Sequence, residues 1–298
     1  MPPSPWLMLI RAPFLLLSIV LVLLGTAVAV YQEVPFSVVN FILALIGLVL
    51  LHISVNVLNN YFDYKSGIDK ETKKTPFSGG VNVLVDGTIN PSTAYGVGLG
   101  TLAVGLLIGV YFFRNVGWEL LPLVLVGIFS VYFYTPVLSK LGIGEAFAGL
   151  GLGTLPVMGA YFVQAGTFNI EALVASIPSW VLTHNLLLLN EFPDAEADKK
   201  AGRKHIVITL GKRNAGIYYS FLLIAMYLWI VGAVVLGYMP YPVLISLLTV
   251  PKALAAIKGA MHDYDKFEEL IPAQGANVQT VLGVHALLAV GFLVASFL

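Results

Sequence analysis

The segment NVLNNYFDYKSGID, residues 56–69, decides the fold, because it closes a long apolar run with a row of amide and carboxylate side chains. At helical periodicity Asn56, Asn59 and Asp63 share one helix face. A second row of this kind occurs later in the chain, at Asn190, Asp194 and Asp198. The step from Asn59 to Asp63 equals the step from Asn190 to Asp194. We therefore interpret the two rows as the two sides of one divided metal site.

The composition is that of an integral membrane protein. Of 298 residues, 58% are apolar and only 11% are charged, and the mean hydropathy is +0.88. Sixteen basic residues balance sixteen acidic ones, so the net charge argues neither for nor against a nucleic-acid partner. The chain has no cysteine, which excludes disulfides, a thiolate metal site and a cysteine nucleophile. Any metal must be bound by oxygen or imidazole.

The apolar segments predict an all-α membrane protein with a single domain, residues 1–298. About 20 apolar residues cross a bilayer. The first segment is longer than the core of a signal peptide, so we expect it to be retained as a membrane helix. Nine helices are predicted, at Trp6–Tyr31, Phe36–Phe62, Pro91–Phe113, Trp118–Tyr134, Gly142–Val163, Ile170–Leu189, Ala215–Leu236, Tyr241–Ile257 and Ala276–Leu298.

Basic residues are concentrated in the connections that follow even-numbered helices. Four lysines lie between residues 65 and 74, after helix two, and six basic residues lie between 199 and 213, after helix six. The positive-inside rule predicts that these connections and the N-terminus are cytoplasmic. Helices two and six then run in the same direction, so we interpret the two halves of the chain as a parallel pseudo-repeat around a central cavity. Both polar rows would face this cavity near the cytoplasmic interface.

Oxygen ligands from both rows are predicted to converge on this cavity. Four carboxylates would repel one another in a low-dielectric environment unless cations lie between them. Oxygen ligands without cysteine favour Mg²⁺, which usually bridges carboxylates to a substrate phosphate. The predicted metal ligands are Asn59, Asp63, Asp69, Asn190, Asp194 and Asp198.

Basic residues beside each row are predicted to bind the same phosphate group. They are Lys73 and Lys74 after the first row, and Arg203 and Lys204 after the second. Together with Mg²⁺ they would stabilise the charge that builds on a departing diphosphate. A diphosphate bound at a membrane interface should carry a lipid tail. The chemistry indicated is ionisation of an allylic prenyl diphosphate to a carbocation, which an acceptor captures.

At these two rows the chain resembles the UbiA superfamily of intramembrane prenyltransferases. The first motif of that family commonly reads Asn-Asp-x-x-Asp, and residues 59–63 here read NNYFD, with Asn60 in place of the usual aspartate. The resemblance implies nine helices and two aspartate-rich motifs, on helices two and six. It also implies that these motifs bind a prenyl diphosphate through Mg²⁺, with two ions expected.

Other segments resemble the 1,4-dihydroxy-2-naphthoate prenyltransferases and their quinone-making relatives. They are residues 61–69 (YFDYKSGID), 76–80 (PFSGG), 142–145 (GIGE), 161–164 (YFVQ) and 190–211. By this resemblance, which covers nearly the whole chain, Asp63 and Asp194 are catalytic, and Asn59 and Asn190 also contact the substrate.

Two residues at the end of helix four, and two glycines after helix two, complete the predicted site. Tyr134 and Lys140 lie at the level inferred for the diphosphate, where the ring of Tyr134 either stabilises the carbocation or anchors the helix at the interface. The dipeptide Gly79-Gly80 indicates a hinge in a loop that covers the site. Such a lid would exclude water, which would otherwise quench the cation.

The expected function is Mg²⁺-dependent transfer of a prenyl chain to an aromatic quinone precursor, as in menaquinone biosynthesis, by a multi-pass protein of the cell membrane. Two alternatives remain open. One is transfer to a non-aromatic alcohol such as geranylgeranylglyceryl phosphate. The other is a cation-coupled transporter, which is also built from repeats with carboxylates in the membrane. Asp69 and Asp198 lie beyond the predicted helix ends and next to lysines, which favours a surface-accessible diphosphate site over a transport site.

Overall fold

The computed structural model describes residues 4–78 and 80–298, and the regular structure in these residues is helical throughout. Within them, nine helices are long and apolar enough to cross a membrane. The spans are Ala12–Tyr31, Val38–Ser66, Pro91–Asn115, Trp118–Leu141, Gly144–Ala165, Ile170–Asn190, Lys212–Val235, Tyr241–His262 and Phe267–Ala295. The prediction of an all-α protein with nine spans is confirmed, whereas the pseudo-repeat of its halves and the single domain stay predictions.

The first span begins later than the sequence predicts. A short separate helix, Pro5–Leu9, precedes it, and the spanning helix begins at Ala12. Arg11 separates the two with a φ of 51°, a left-handed conformation that a right-handed helix does not contain. The backbone conformation of Arg11 thus interrupts the helix between Leu9 and Ala12.

The ninth span begins earlier than the predicted Ala276. It starts at Phe267, and Glu268 and Glu269 lie in its first turn. Carboxylates are favourable there, because the N-terminus of a helix carries partial positive charge. The prediction relied on apolar residues, so it did not include the polar first turns of this helix.

Interactions at both ends fix the second span, which carries the first polar row. At its beginning the backbone of Ser37 exchanges two hydrogen bonds, of 2.8 and 3.1 Å, with the side chain of Gln164 on the fifth span. At its end Gly67 adopts a φ of 80°, which favours glycine, and a short 3₁₀ turn, Ile68–Lys70, follows. This reversal of the chain brings Asp69 back towards the polar row.

The fifth and sixth spans pack closely where the fifth helix is interrupted. A Cβ atom on Gly153 would lie 2.5 Å from the carbonyl oxygen of Ser179, so this approach requires glycine. The neighbouring Leu152 has a non-helical backbone, and Thr183 Oγ1 donates a hydrogen bond of 2.7 Å to its carbonyl oxygen. Polar groups freed by such a break must be satisfied within a membrane. The contact fixes the depth of the sixth span, which ends at Asn190.

A buried hydrogen-bond network joins the sixth, seventh and ninth spans. Asn185 Nδ2 donates to the carbonyl oxygen of Tyr219 at 2.9 Å, and Tyr219 Oη donates to Asn277 Oδ1 at 3.0 Å. Asn277 Nδ2 closes the ring by donating to the carbonyl oxygen of Asn185 at 3.3 Å. All three side chains are fully buried, so the network holds these helices together.

Candidate active site

The two polar rows line one cavity of about 230 Å³. Asn56, Asn59 and Asp63 reach it from successive turns of the second span, as their helical spacing predicts. The cavity wall contains all six predicted metal ligands, Asn59, Asp63, Asp69, Asn190, Asp194 and Asp198. The structure therefore brings the two separate stretches of sequence together, while the role of each residue as a ligand stays a prediction.

Arg203 joins the two rows. Its Nη2 pairs with Oδ1 of Asp63 on the second span, and its Nη1 donates to Asp198 Oδ1 at 2.9 Å. Burial disfavours the charged guanidinium, but the two carboxylates outweigh this effect and the pKa of Arg203 is raised. Because one guanidinium contacts both carboxylates, the two rows lie within reach of a single bound cation.

Asp69 contributes a third carboxylate to the cavity wall. Lys74 Nζ donates to its backbone carbonyl oxygen at 2.9 Å and lies 3.4 Å from its Oδ1. Burial raises the pKa of Asp69, and the charge of Lys74 opposes that rise. Gly80, with a φ of 68°, lies so close to Asp69 Oδ1 that a Cβ atom there would clash with it. This half of the predicted hinge therefore covers the carboxylate, and Gly79 lies outside the described residues.

Asn60, at the position where the family motif has an aspartate, directs its amide nitrogen to backbone carbonyl oxygens. Its Nδ2 donates to the carbonyl oxygens of Leu9 and Asn56, at 3.1 and 2.9 Å. Asn60 thus attaches the short N-terminal helix to the second span. It is not among the described residues that line the cavity.

Tyr134 lines the cavity from the end of the fourth span. It begins a π-helical turn, Tyr134–Leu138, that contains Pro136, which lacks the backbone N–H needed for a regular helix. Such turns are frequent at functional sites. Thr135 in the same turn accepts a hydrogen bond of 3.0 Å from Asn59 Nδ2, which ties this turn to the first polar row. The position of Tyr134 matches its predicted level, and its role stays a prediction.

Four of the predicted diphosphate contacts, Lys73, Lys74, Lys140 and Lys204, are absent from the cavity wall of the described chain. Lys73 Nζ lies 5.5 Å from the centre of the Phe267 ring, a cation–π contact outside the cavity. Lys140 and Lys204 are exposed, and neither belongs to the cavity wall of the described chain. Their contact with a diphosphate stays a prediction that would require the loops to move.

Ionisable side chains that the sequence analysis did not identify also line the cavity. Arg11 Nη2 donates to Asn59 Oδ1 at 3.3 Å. Glu191 follows Asn190 directly, and its pKa is raised well above the usual value, by burial first and by Glu145 second. His205 Nε2 lies 3.2 Å from Asp198 Oδ2. A signal existed for Arg11, because it is a lone arginine within the apolar N-terminal segment.

The donor set fits a hard divalent cation. Carboxylate and amide oxygens are the ligands that Mg²⁺ prefers. Two of them, Asp69 Oδ2 and Asn190 Oδ1, are buried and have no hydrogen-bond partner among the described residues. Buried polar atoms are normally satisfied. One such oxygen on each side of the cavity therefore points to a ligand bound between the rows.

A second, apolar pocket of about 140 Å³ adjoins the first. The two share Leu48, Leu51, Gly127 and Gly151 as walls, and the described residues that line the second pocket are all apolar. Around Gly127 there is open space, with no atom within 4 Å of an added Cβ. The polar cavity thus has an apolar pocket beside it, an arrangement that suits a charged head with an apolar tail.

Comparisons with known proteins found similar sequences and similar structures. The model of the UbiA prenyltransferase family matches residues 18–268. The 1,4-dihydroxy-2-naphthoate octaprenyltransferase of Bacillus subtilis (strain 168) is 31% identical over 292 residues, which cover 97% of this chain and 92% of the relative.

Solved structures share the fold. A UbiA homolog from Aeropyrum pernix K1 aligns with a TM-score of 0.72 at 17% identity, covering 93% of this chain and 97% of that one. A UbiA homolog from Archaeoglobus fulgidus, bound to GPP and Mg²⁺, aligns with a TM-score of 0.63 at 16% identity, covering 96% and 99%.

Proposed function

The chain belongs to the UbiA prenyltransferase family, and we propose that it transfers a prenyl chain from an allylic prenyl diphosphate to an aromatic acceptor resembling 1,4-dihydroxy-2-naphthoate. The observation that carries this proposal is the convergence of both carboxylate rows on one cavity, with Arg203 between them. Family membership favours an enzyme over a cation-coupled transporter. The aromatic acceptor is supported by the naphthoate octaprenyltransferase from Bacillus subtilis, at 31% identity.

The polar end of the cavity is the proposed site of the diphosphate. Asn59, Asp63 and Asp69 on one side, and Asn190, Asp194 and Asp198 on the other, would hold Mg²⁺, as the homolog from Archaeoglobus fulgidus holds Mg²⁺ with GPP. Bound there, the metal would supply positive charge to the leaving diphosphate. Arg203 and Arg11 also line this end, and we propose that their guanidinium groups contact the same oxygens.

The proposed reaction begins with cleavage of the bond between the allylic carbon and the diphosphate oxygen. The electron pair leaves with the diphosphate, and an allylic cation remains in the apolar part of the cavity. The ring face of Tyr134 stabilises this cation. The electron-rich acceptor ring then attacks the cation and forms a carbon–carbon bond. Aromaticity returns when the attacked carbon loses a proton, or carbon dioxide if it bears a carboxylate.

The acceptor is tested by incubating membranes that contain the protein with labelled geranylgeranyl diphosphate, Mg²⁺ and one acceptor at a time. We expect product with 1,4-dihydroxy-2-naphthoate, and we expect chelation of divalent cations to abolish it. Product with geranylgeranylglyceryl phosphate alone would instead support the non-aromatic alternative. Membranes that contain the Asp63→Asn variant are the control, and the product formed in them is the background for each acceptor.

The apolar pocket is the proposed site of the prenyl tail, and Gly127 is expected to control access to it. Phenylalanine at position 127 would project into the open space shared by both cavities. We expect Gly127→Phe to lower kcat/KM for geranylgeranyl diphosphate at least about tenfold relative to dimethylallyl diphosphate, since one methylene in an apolar pocket can have that effect. Competition between the two donors measures the ratio directly.

Gly100 provides the matched control for this prediction. It also lies in a spanning helix with no atom near an added Cβ, but it is exposed and outside both pockets. Gly100→Phe should leave the preference for donor length unchanged. An unchanged preference in Gly127→Phe would mean that the tail does not pass residue 127.

The protein is a multi-pass membrane protein, and we propose that its N-terminus and active-site loops are cytoplasmic. The basic residues between 65 and 74 and between 199 and 213 support this orientation. The prenyl tail would then lie in the membrane while the diphosphate enters from the cytoplasmic side.

A further inference from the structure

The segment that carries Arg203 and His205 has no regular helix of its own, so its position depends on a few contacts. It spans residues 201–205, between the short helices Ala195–Lys200 and Ile206–Leu210. The backbone N–H of Arg203 donates to the carbonyl oxygen of Asp198 at 3.0 Å. At its end the N–H of Ile206 donates to Glu145 Oε1 at 2.6 Å, and Glu145 is 1% exposed. The fifth span therefore holds the end of this segment through a buried carboxylate.

His205 lies inside the protein, surrounded by carboxylates. It is 3% exposed. Its Nε2 lies 3.2 Å from Asp198 Oδ2, and its Nδ1 lies 3.8 Å from Glu191 Oε2. Glu145 places an oxygen within 4.8 Å of the facing atoms of His205 and Glu191. The imidazole thus separates Asp198 from two further acidic side chains.

Each carboxylate oxygen of Asp198 has a side-chain nitrogen beside it, and among the described residues the contact at Oδ1 is the one with hydrogen-bond geometry. Oδ1 accepts from Arg203 Nη1 at 2.9 Å, on the side where Arg203 also pairs with Asp63. Oδ2 faces His205. The imidazole and the guanidinium thus lie at different oxygens of Asp198, and Oδ1 is the oxygen that shares Arg203 with Asp63.

We propose that His205 is a positioning residue: it holds Asp198 Oδ2 so that Oδ1 faces Asp63 across the cavity. This inference rests on the proposed magnesium site. Groups that orient a ligating carboxylate are part of a metal site, and their removal typically weakens metal binding by about 10- to 100-fold. Both ring nitrogens of His205 lack a hydrogen-bond partner among the described residues, and one ligand atom each from His205, Glu145 and Glu191 lies within 4.8 Å of the others. The proposal assigns His205 the contact with Asp198 Oδ2 and not a ligand role. Glu145 supports the imidazole by fixing the backbone directly after it.

The two nitrogens of His205 can be tested separately by amide substitutions. Glutamine places its amide nitrogen near the position of Nε2, which faces Asp198, whereas asparagine places it near Nδ1, which faces Glu191. Both variants keep a buried polar group, so both are expected to fold. The measurement is Mn²⁺ binding to the full chain in detergent, by loss of the free-ion electron paramagnetic resonance signal, without prenyl donor or acceptor.

We expect His205→Asn to weaken Mn²⁺ binding by about 10- to 100-fold, and His205→Gln to stay within about threefold of the unmodified protein. His285→Asn is the control, because His285 is fully buried on the ninth span, with its Nδ1 2.6 Å from the carbonyl oxygen of Val281 and outside the cavity wall. The His285→Asn variant should bind Mn²⁺ with the affinity of the unmodified protein. In an Asp198→Asn background, His205→Asn should cause no further loss. The apparent Mg²⁺ activation constant should rise in His205→Asn while KM for the acceptor is unchanged.

Normal Mn²⁺ binding by His205→Asn would overturn the inference. So would preserved binding in His205→Asn combined with loss in His205→Gln, because the contact with Glu191 would then be the important one. A full additional loss in the Asp198→Asn background would also overturn it, since His205 would be acting independently of Asp198. The Mn²⁺ measurement needs no substrate, so absence of prenyl transfer by the unmodified protein would contradict the proposed function and leave this result standing.

Discussion

Replacing Asp63 or Asp194 by asparagine should abolish prenyl transfer, with a loss of at least about a thousandfold in kcat/KM. Each substitution keeps the size of the side chain but removes one negative charge from the cavity wall. Asp63 and Asp194 lie on opposite walls. Under the proposed function, the loss of a charged oxygen ligand would weaken the binding of Mg²⁺ and with it the stabilisation of the departing diphosphate. Product formation from labelled geranylgeranyl diphosphate, with purified protein in detergent, measures the effect.

Asp265→Asn is the control for these two variants. Asp265 lies in the connection before the ninth span, its side chain is 68% exposed, and its contact with Lys212 is 3.6 Å long. This substitution should leave transfer unchanged. All three variants should elute as folded protein and unfold within a few degrees of the original. Retained activity in either cavity variant would remove that aspartate from the mechanism.

Replacing Arg203 by methionine should destabilise the metal-free protein by roughly 3 kcal/mol, and added Mg²⁺ should restore much of the loss. Without the guanidinium, Asp63 and Asp198 remain buried, at 6% and 2% exposure, and lose the cation that bridges them. A divalent ion between the rows would take over this role. Thermal unfolding in detergent, with chelator and then with saturating Mg²⁺, measures both effects.

The expected signature is that Mg²⁺ stabilises Arg203→Met more than the unmodified protein. Lys200→Met is the control, because Lys200 pairs with Glu71 at 3.5 Å and both side chains are mostly exposed. Exposed pairs of this kind contribute little. Equal stabilisation of all three proteins by Mg²⁺ would show that Asp63 and Asp198 do not share a divalent ion.

The spans and the convergence of the two rows could be predicted because both depend on local periodicity. The spacing of Asn56, Asn59 and Asp63 places them on one face of any helix, and Asn190 ends a helix in the same way. Polar residues within an apolar run must face a cavity or one another. The structure then brings the two rows to one cavity, as this reasoning predicts.

The contacts made by the loops could not be predicted, because no periodicity indicates their direction. Lys73 and Lys74 are adjacent in sequence, yet Lys74 contacts Asp69 whereas Lys73 lies over Phe267 on the ninth span. Likewise His205 reaches Asp198 only because the chain turns after Lys200. Such contacts depend on packing between distant spans.

The bridge formed by Arg203 has a consequence for biogenesis. Because the chain carries its own counter-ion for the converging acidic side chains, the nine spans can assemble in the lipid bilayer during synthesis without waiting for metal to arrive. A newly inserted molecule thus already has a cation between Asp63 and Asp198. Under the proposed function, magnesium would be needed for turnover, when the guanidinium would exchange its carboxylate partners for the phosphate oxygens of the incoming substrate.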